Sequence, residues 1–290
     1  MIKHVLLIIL FSVVYFGGKV LAQESVITFP LGSFSISTLS EGGGNGNVNL
    51  LVGATPNMLK MYAPDGTFPL ATNAFLVHAN GKIILIDTGY GRNLFKNLNS
   101  LGVSEEQVDV VLLTHLHGDH IGGLSKDGKA AFPNAEVYVA EKEYDYWINE
   151  AKNESAIAAL LPYTSKMHKF TPVELGSKNE NLFPGIQAIA AYGHTPGHTG
   201  FLIESDGEKM LVWGDVTHAM AIQMPHPEVA LSFDSDKTMA IESRRKILEY
   251  VVKNKILVAG MHIIFPGIGT IQSTKKSGYT FALRCECEGI

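Results

Sequence analysis

Residues 115–120 read His115-Leu116-His117-Gly118-Asp119-His120, so four groups able to bind a metal ion stand within six positions. They follow directly on Val108-Asp109-Val110-Val111-Leu112-Leu113, a short β-branched apolar run with the character of a buried strand. Such a strand delivers Thr114 and the histidines into a loop at its C-terminal end. Side chains alternate along an extended chain, which lets His115 and His117 reach one point in space. Past Gly118 the backbone turns, and Asp119 and His120 swing towards a second point nearby. A polar loop with scattered histidines lacks this density of ligand types, and the segment points to a metal centre.

Three later segments repeat the layout of an apolar run that ends in a candidate ligand. Ile186 to Ala191 leads to Gly193-His194-Thr195-Pro196-Gly197-His198, Lys209 to Trp213 leads to Gly214-Asp215, and Lys255 to Gly260 leads to Met261-His262. Ligands at the ends of several strands converge at one edge of a sheet, where layered α/β folds place their sites. Lys82 to Ile86 is a further strand, paired in a hairpin with Asn73 to Ala79 through the turn dipeptide Asn80-Gly81 and ending at Asp87. Asp87 has two readings: a carboxylate that orients a ligating histidine, or a strand-end turn residue bonded to nearby backbone.

Neutral imidazole and carboxylate suit zinc, and a ligand set that leaves positions open for water is what a catalytic site requires. Iron or manganese fits the same ligands, because affinity order alone does not select a metal. Two ions ~3.5–4 Å apart can share a hydroxide and grip both the attacked and the leaving oxygen.

At these residues the chain resembles the metallo-β-lactamase superfamily of metallo-hydrolases. Asp87-Thr88-Gly89 is similar to the first motif of that family, the segment from His115 to His120 to the second, His198 to the third, Asp215 to the fourth and His262 to the fifth. The resemblance implies an αββα four-layer sandwich and a site for two zinc ions per chain. It implies that His115, His117 and His198 hold one ion, that Asp119, His120 and His262 hold the other, and that Asp215 bridges them. His194 is then left an orienting or turn-forming part. Trp213-Gly214-Asp215-Val216-Thr217-His218, with the later Phe233-Asp234-Ser235-Asp236, resembles the branch containing methyl parathion hydrolase and secreted lactonases. That branch implies a hydrolase of lactones, esters or phosphotriesters, with Asp119, Asp215 and His218 as catalytic candidates. His218 stands three residues after the bridging Asp, where the quorum-signal lactonases of another branch carry Tyr. Two other readings belong to the same superfamily: a β-lactamase, disfavoured by Asp215 where the best-known zinc enzymes place Cys, and a mononuclear-iron sulfur dioxygenase.

The remainder of the chain is consistent with one enzyme domain over residues 23–290. A chain of 290 residues with 46% hydrophobic composition can bury one large core, and a net charge of -5 without a basic stretch argues against a nucleic-acid partner. The expected partner is a small-molecule substrate, with monomer and homodimer both open. Met1 to Ala22 has the basic start, apolar stretch and small-residue cleavage signal of an export leader, which predicts a periplasmic or secreted enzyme with no membrane contact after cleavage. Cys285 and Cys287 lie too close in sequence for a relaxed bridge and are read as incidental. Helices are predicted over Ala140 to Ala151, with an aromatic core stripe that includes Trp147, and over Asp236 to Lys253. Glu41 to Asn49, rich in Gly and Asn, is predicted to be a mobile loop.

Overall fold

A computed structural model describes residues 25–178, 181–275 and 278–284. The predicted leader and the Cys285/Cys287 pair lie outside the described residues.

Two sheets carry the fold. The first runs β1 (Val26–Leu31), β2 (Phe34–Asn47), β3 (Thr67–Ala79), β4 (Lys82–Ile86), β5 (Val110–Leu112), β6 (Glu136–Ala140) and β7 (Met167–Phe170), adjacent in space in that order. The second runs β8 (Ile186–Ala190), β9 (Thr199–Ser205), β10 (Glu208–Val212), β11 (Leu257–Ala259), β12 (Ile268–Ser273) and β13 (Tyr279–Leu283), also in chain order. The strands from β4 to β7 are parallel, as are β10 and β11, and the other pairs are antiparallel.

Alternation along the strands builds the layers. Phe75 and Val77 of β3, Ile84 and Ile86 of β4, and Val110 and Leu112 of β5 point between the sheets, where they meet Phe201 and Ile203 of β9 and Met210 and Val212 of β10. The intervening residues Ala74, Leu76, Leu85 and Val111 face outwards, onto Leu94 and Leu98 of the helix Leu94–Ser100 and onto Leu160 of the helix Glu154–Leu160. On the far side, Leu202 and Leu211 pack against Ile247, Leu248 and Val251 of the helix Lys237–Asn254. Helix, sheet, sheet, helix is the expected αββα sandwich. The first predicted helix is present as Glu141–Tyr144 continuing into a π-helical turn, Asp145–Glu150. The second is opened by Asp236, whose carboxylate accepts from the Met239 N–H at 2.9 Å.

The expectation of a mobile loop at Glu41 to Asn49 is corrected. Most of that segment is the far half of β2, paired residue for residue from Gly43 opposite Ala71 to Asn47 opposite Thr67. Gly46 lies beneath the Phe68 ring, where a Cβ would come within 2.4 Å of the ring carbons. Here composition favours a loop, but the backbone pairing and the seat for Phe68 favour a strand. The chain that follows, through Pro56–Tyr62, packs with Phe68 against Ala219, Ile222 and Val229.

Candidate metal centre

The strands β5, β8, β10 and β11 all end at one edge of the sandwich, and each is followed by a histidine or an aspartate. After β5 the chain stays extended through His117 (φ -69°, ψ 152°), then turns into the single helical turn Gly118–Ile121. His115 and His117 therefore meet, Nε2 to Nδ1 at 2.9 Å, while Asp119 and His120 face elsewhere. Asp119, His120 and His262 form one group of potential ligand atoms, and His115, His117, His194 and Asp215 form another, with the atoms of each group within 4.8 Å of one another.

Asp215 stands between the groups. Its Oδ2 lies 3.2 Å from His194 Nε2, 3.1 Å from His262 Nε2, 3.0 Å from His218 Nε2 and 3.6 Å from His115 Nε2. Its Oδ1 lies 3.2 Å from His120 Nε2.

The third-motif expectation is corrected by this geometry, because His194 reaches the cluster and His198 does not. Both ring nitrogens of His198 are committed to backbone: Nδ1 donates to the Ala191 carbonyl at 2.8 Å, and Nε2 accepts from the Asp215 N–H at 2.8 Å. Gly214 has φ +60°, and a Cβ there would stand 2.5 Å from His198 Nε2, so the ring is packed directly beneath the Asp215 turn. His198 orients Asp215 from behind instead of facing the cluster.

Three of the imidazoles that face Asp215 are fixed by their other nitrogen. His120 Nδ1 contacts Asp87 Oδ2 at 2.6 Å, His194 Nδ1 contacts Asp234 Oδ1 at 2.8 Å, and His262 Nδ1 donates to the Ala71 carbonyl at 2.7 Å. Asp87 also accepts from the Thr114 N–H at 2.7 Å and the Thr114 hydroxyl at 2.6 Å, so of its two readings the orienting carboxylate is the one present. With the proton held at Nδ1, a neutral ring turns its Nε2 lone pair to the centre. Three such lone pairs then oppose the oxygens of one buried carboxylate.

Opposed lone pairs at this distance repel unless a cation or an added proton stands between them. His120 Nε2, Asp215 Oδ1 and His218 Nδ1 are buried and make no hydrogen bond. The charge balance shows the same demand. Burial pushes the His120 imidazole down, but Asp215, Asp119 and Asp87 together hold it well above its ordinary value. Burial raises the Asp215 carboxyl, yet the surrounding imidazoles, His120 first, hold it well below the usual carboxylate range. Burial takes His117 down to about 3, leaving a neutral ring available as a ligand. The donor set fits metal ions.

A family model described as the metallo-beta-lactamase superfamily matches residues 67–259, which include the groups at this edge from Asp87 to Asp234 and stop just short of His262. The chain belongs to that superfamily. It is a metal-dependent hydrolase whose relatives include lactonases. An N-acyl homoserine lactonase of Bacillus cereus is 25% identical over 228 residues, 69% of this chain and 84% of that protein. Several other curated relatives are matched over only 42–62% of their own length. Among solved structures, hydrolase AbOPH in the beta lactamase superfamily superposes with a TM-score of 0.80 at 31% identity, covering 90% of this chain and 98% of that one. AidC, a dizinc quorum-quenching lactonase in complex with a product, superposes with a TM-score of 0.81 at 27% identity over the same shares of the two chains.

Sequence reasoning passed over several residues of the site. His194 was available in the same short turn as His198, but which ring faces inwards depends on how the turn packs. Asp234 stands just before the predicted helix from Asp236, yet it holds His194 across 40 positions of sequence. Trp147, read as core, is half-buried and also sets its ring edge-on to His117, with centroids 5.3 Å apart.

Proposed function

We propose that this chain is a zinc hydrolase with two ions per site that opens lactones, N-acyl homoserine lactones in the first place, and hydrolyses related neutral esters and phosphotriesters. The observation that carries the reading is the Asp215 carboxylate set between two groups of imidazoles whose lone pairs converge on it. His115, His117 and His194 would hold one ion and Asp119, His120 and His262 the other, with Asp215 standing between the two groups. The B. cereus relative and AidC support the choice of lactone.

The mouth of the site supports a neutral substrate with an apolar part. Phe233 stands with its ring centroid 5.1 Å from that of His218 and 5.7 Å from that of His194, and Trp147 walls His117. Tyr90, Phe233 and Ile264 are large apolar or aromatic side chains left 41–47% exposed. Tyr90 feels the Asp119 charge and carries the Arg92 guanidinium over its ring at 4.4 Å. Aromatic walls with few charges suit an acyl chain or a neutral ring better than an anionic substrate.

Zinc bound here would supply Lewis acidity to the substrate oxygen and bring the pKa of water towards ~7. The chain's own groups set direction and protonation. Asp215 receives orientation from His198 through its N–H and stays ionised, and its Oδ2 meets His218 Nε2 at 3.0 Å. His218, taken down to about 4 by burial, is neutral at pH 7 with Nε2 turned to Asp215, which leaves Nδ1 the free acceptor that would take a proton from the attacking water and return it to the leaving oxygen. Asp119, whose side chain is 22% exposed, is the carboxylate through which the site exchanges protons with solvent. All of these groups come from one chain, so the chemistry needs no second copy.

The reading takes residues 1–22 as an export leader and places the enzyme in the periplasm or outside the cell. The test is ring opening of N-hexanoyl homoserine lactone by the zinc-loaded protein, followed by acid release beside an aryl ester and a phosphotriester. Turnover of the lactone that is lost on chelation and restored by zinc is the expected result. Turnover of none of the three above a zinc-only control overturns it.

A further inference from the structure

Behind the first group of imidazoles lies a buried carboxylate that none of the steps above uses. Glu143 is 0% exposed, and among the described residues no Lys, Arg or His forms an ion pair with it. It accepts four hydrogen bonds instead. Its Oε1 takes the Leu116 N–H at 3.0 Å and the Trp147 indole N–H at 2.6 Å. Its Oε2 takes the Thr195 hydroxyl at 2.7 Å and the Gly197 N–H at 2.8 Å.

Those four donors belong to three separate parts of the site. Leu116 stands between His115 and His117, Thr195 directly follows His194, and Trp147 is the wall against His117. The close approach is built into the chain, because a Cβ on Gly197 would lie 2.2 Å from the Glu143 nitrogen. The helical turn Glu141–Tyr144 that carries Glu143 widens into the π-turn Asp145–Glu150 that carries Trp147. Such widened turns concentrate at functional sites.

We propose that Glu143 is the positioning residue of the first half of the metal site. Its two oxygens fix the spacing between the His115/His117 loop and the His194 turn, and hold the Trp147 wall in the same knot. A carboxylate suits this place because every partner is a donor, and bonds to an ionised acceptor are the strong ones. An amide in its stead turns an NH2 group towards two of the four donors. The second group, Asp119, His120 and His262, touches none of these bonds. The inference rests on the two-ion reading and adds that the two ions depend on different supports.

The test compares Glu143→Gln with the wild-type chain in a competitive chelator titration of bound zinc, alongside the visible spectrum of the cobalt-substituted protein. The expected result is one uptake step weakened by about 10–100-fold, the scale of losing a group that orients a ligand, with the other step unmoved. The cobalt band of the weakened site changes with it. Thr195→Val and Trp147→Phe, each of which removes one donor and keeps most of the volume, shift the same step by less, and they carry the test if the Gln variant does not fold. Equal shifts in both steps, as general loosening of the fold would give, overturn the proposal, and so does no shift in any variant. A wild-type chain with a single uptake step contradicts the two-ion reading, and whether that step weakens in the variants then decides the role of Glu143. A chain that takes up no ion overturns both.

Discussion

The space between the sheets and the edge where the strands end are both closed to solvent, yet they are built on opposite principles. Between the sheets, Phe75, Val77, Ile84, Phe201, Ile203 and Met210 fill the volume with apolar groups and no polar atom is needed. At the edge, Asp87, His115, His120, Glu143, His194, His198, Asp215 and His262 are equally buried, and the polar atoms left without a hydrogen bond, His120 Nε2 and Asp215 Oδ1, face the centre. The interior tolerates exchange of one shape for another of equal volume. The edge does not, because its groups are held by direction and charge, and Asp215 faces lone pairs that only a cation or a proton reconciles. Stability comes from the first region and chemistry from the second.

The largest expected effect tests the interior. Phe201→Ala should lower stability by about 3–5 kcal/mol, as large cavities do, while the folded protein keeps its full complement of zinc. Urea unfolding beside metal analysis measures both, and loss of metal at full folding would erase the distinction between the regions. Asp215→Asn should do the converse, lowering lactone turnover by about 10²–10³-fold, the scale of one preorganised electrostatic group. The ion-free variant should lose stability relative to the ion-free wild type, where Asp215 and the imidazoles facing it, His120 first, hold each other charged, but by less than the Phe201 variant does. An ion-free Asn variant destabilised as much as the Phe201 variant would show that the edge is an ordinary structural network.

A smaller effect sharpens the correction at the third motif. His198→Ala should weaken zinc affinity by about 10–100-fold through lost orientation of Asp215, whereas His194→Ala should remove the first ion altogether. Isothermal titration with zinc reads both, and the reverse ranking would restore His198 as the ligand.

The smallest effect lies in the outer layer. The Tyr163 hydroxyl donates to the Leu124 carbonyl at 2.8 Å and accepts from the Phe132 N–H at 2.9 Å, and burial pushes it up to about 12. Tyr163→Phe should cost about 1–3 kcal/mol through the two groups left unpaired. The folded state holds this proton more tightly than the unfolded chain, so its contribution is complete below pH 10 and is lost as the pH rises towards 12. Unfolding measured across that range should show the slope in the wild type and a shallower one in the Phe variant, with zinc content unchanged in both.

What the sequence discloses follows from how local the cause is. The β3–β4 hairpin is legible because Asn80 and Gly81 adopt positive φ in the turn itself. The extended His115 to His117 stretch is legible because alternation brings neighbouring rings together. The strand at Gly42 to Asn47 is not, since its partner segment lies beyond an intervening helix and only the pairing reveals it. The choice between His194 and His198 is set at Gly193, whose φ of +122° and tight packing on Ala240 turn the chain so that His194 faces in. Asp234 and Glu143 escape detection for a related reason: each acts on residues tens of positions away, through bonds that leave no periodic mark.

Metal stoichiometry tests the central claim most directly. The protein is stripped with chelator, loaded with zinc, passed through gel filtration and assayed for zinc per chain, with His262→Ala and His194→Ala treated alongside. The account predicts two ions per chain in the wild type and one in each variant. A wild-type chain that retains no zinc, or variants that both retain the wild-type amount, would contradict it.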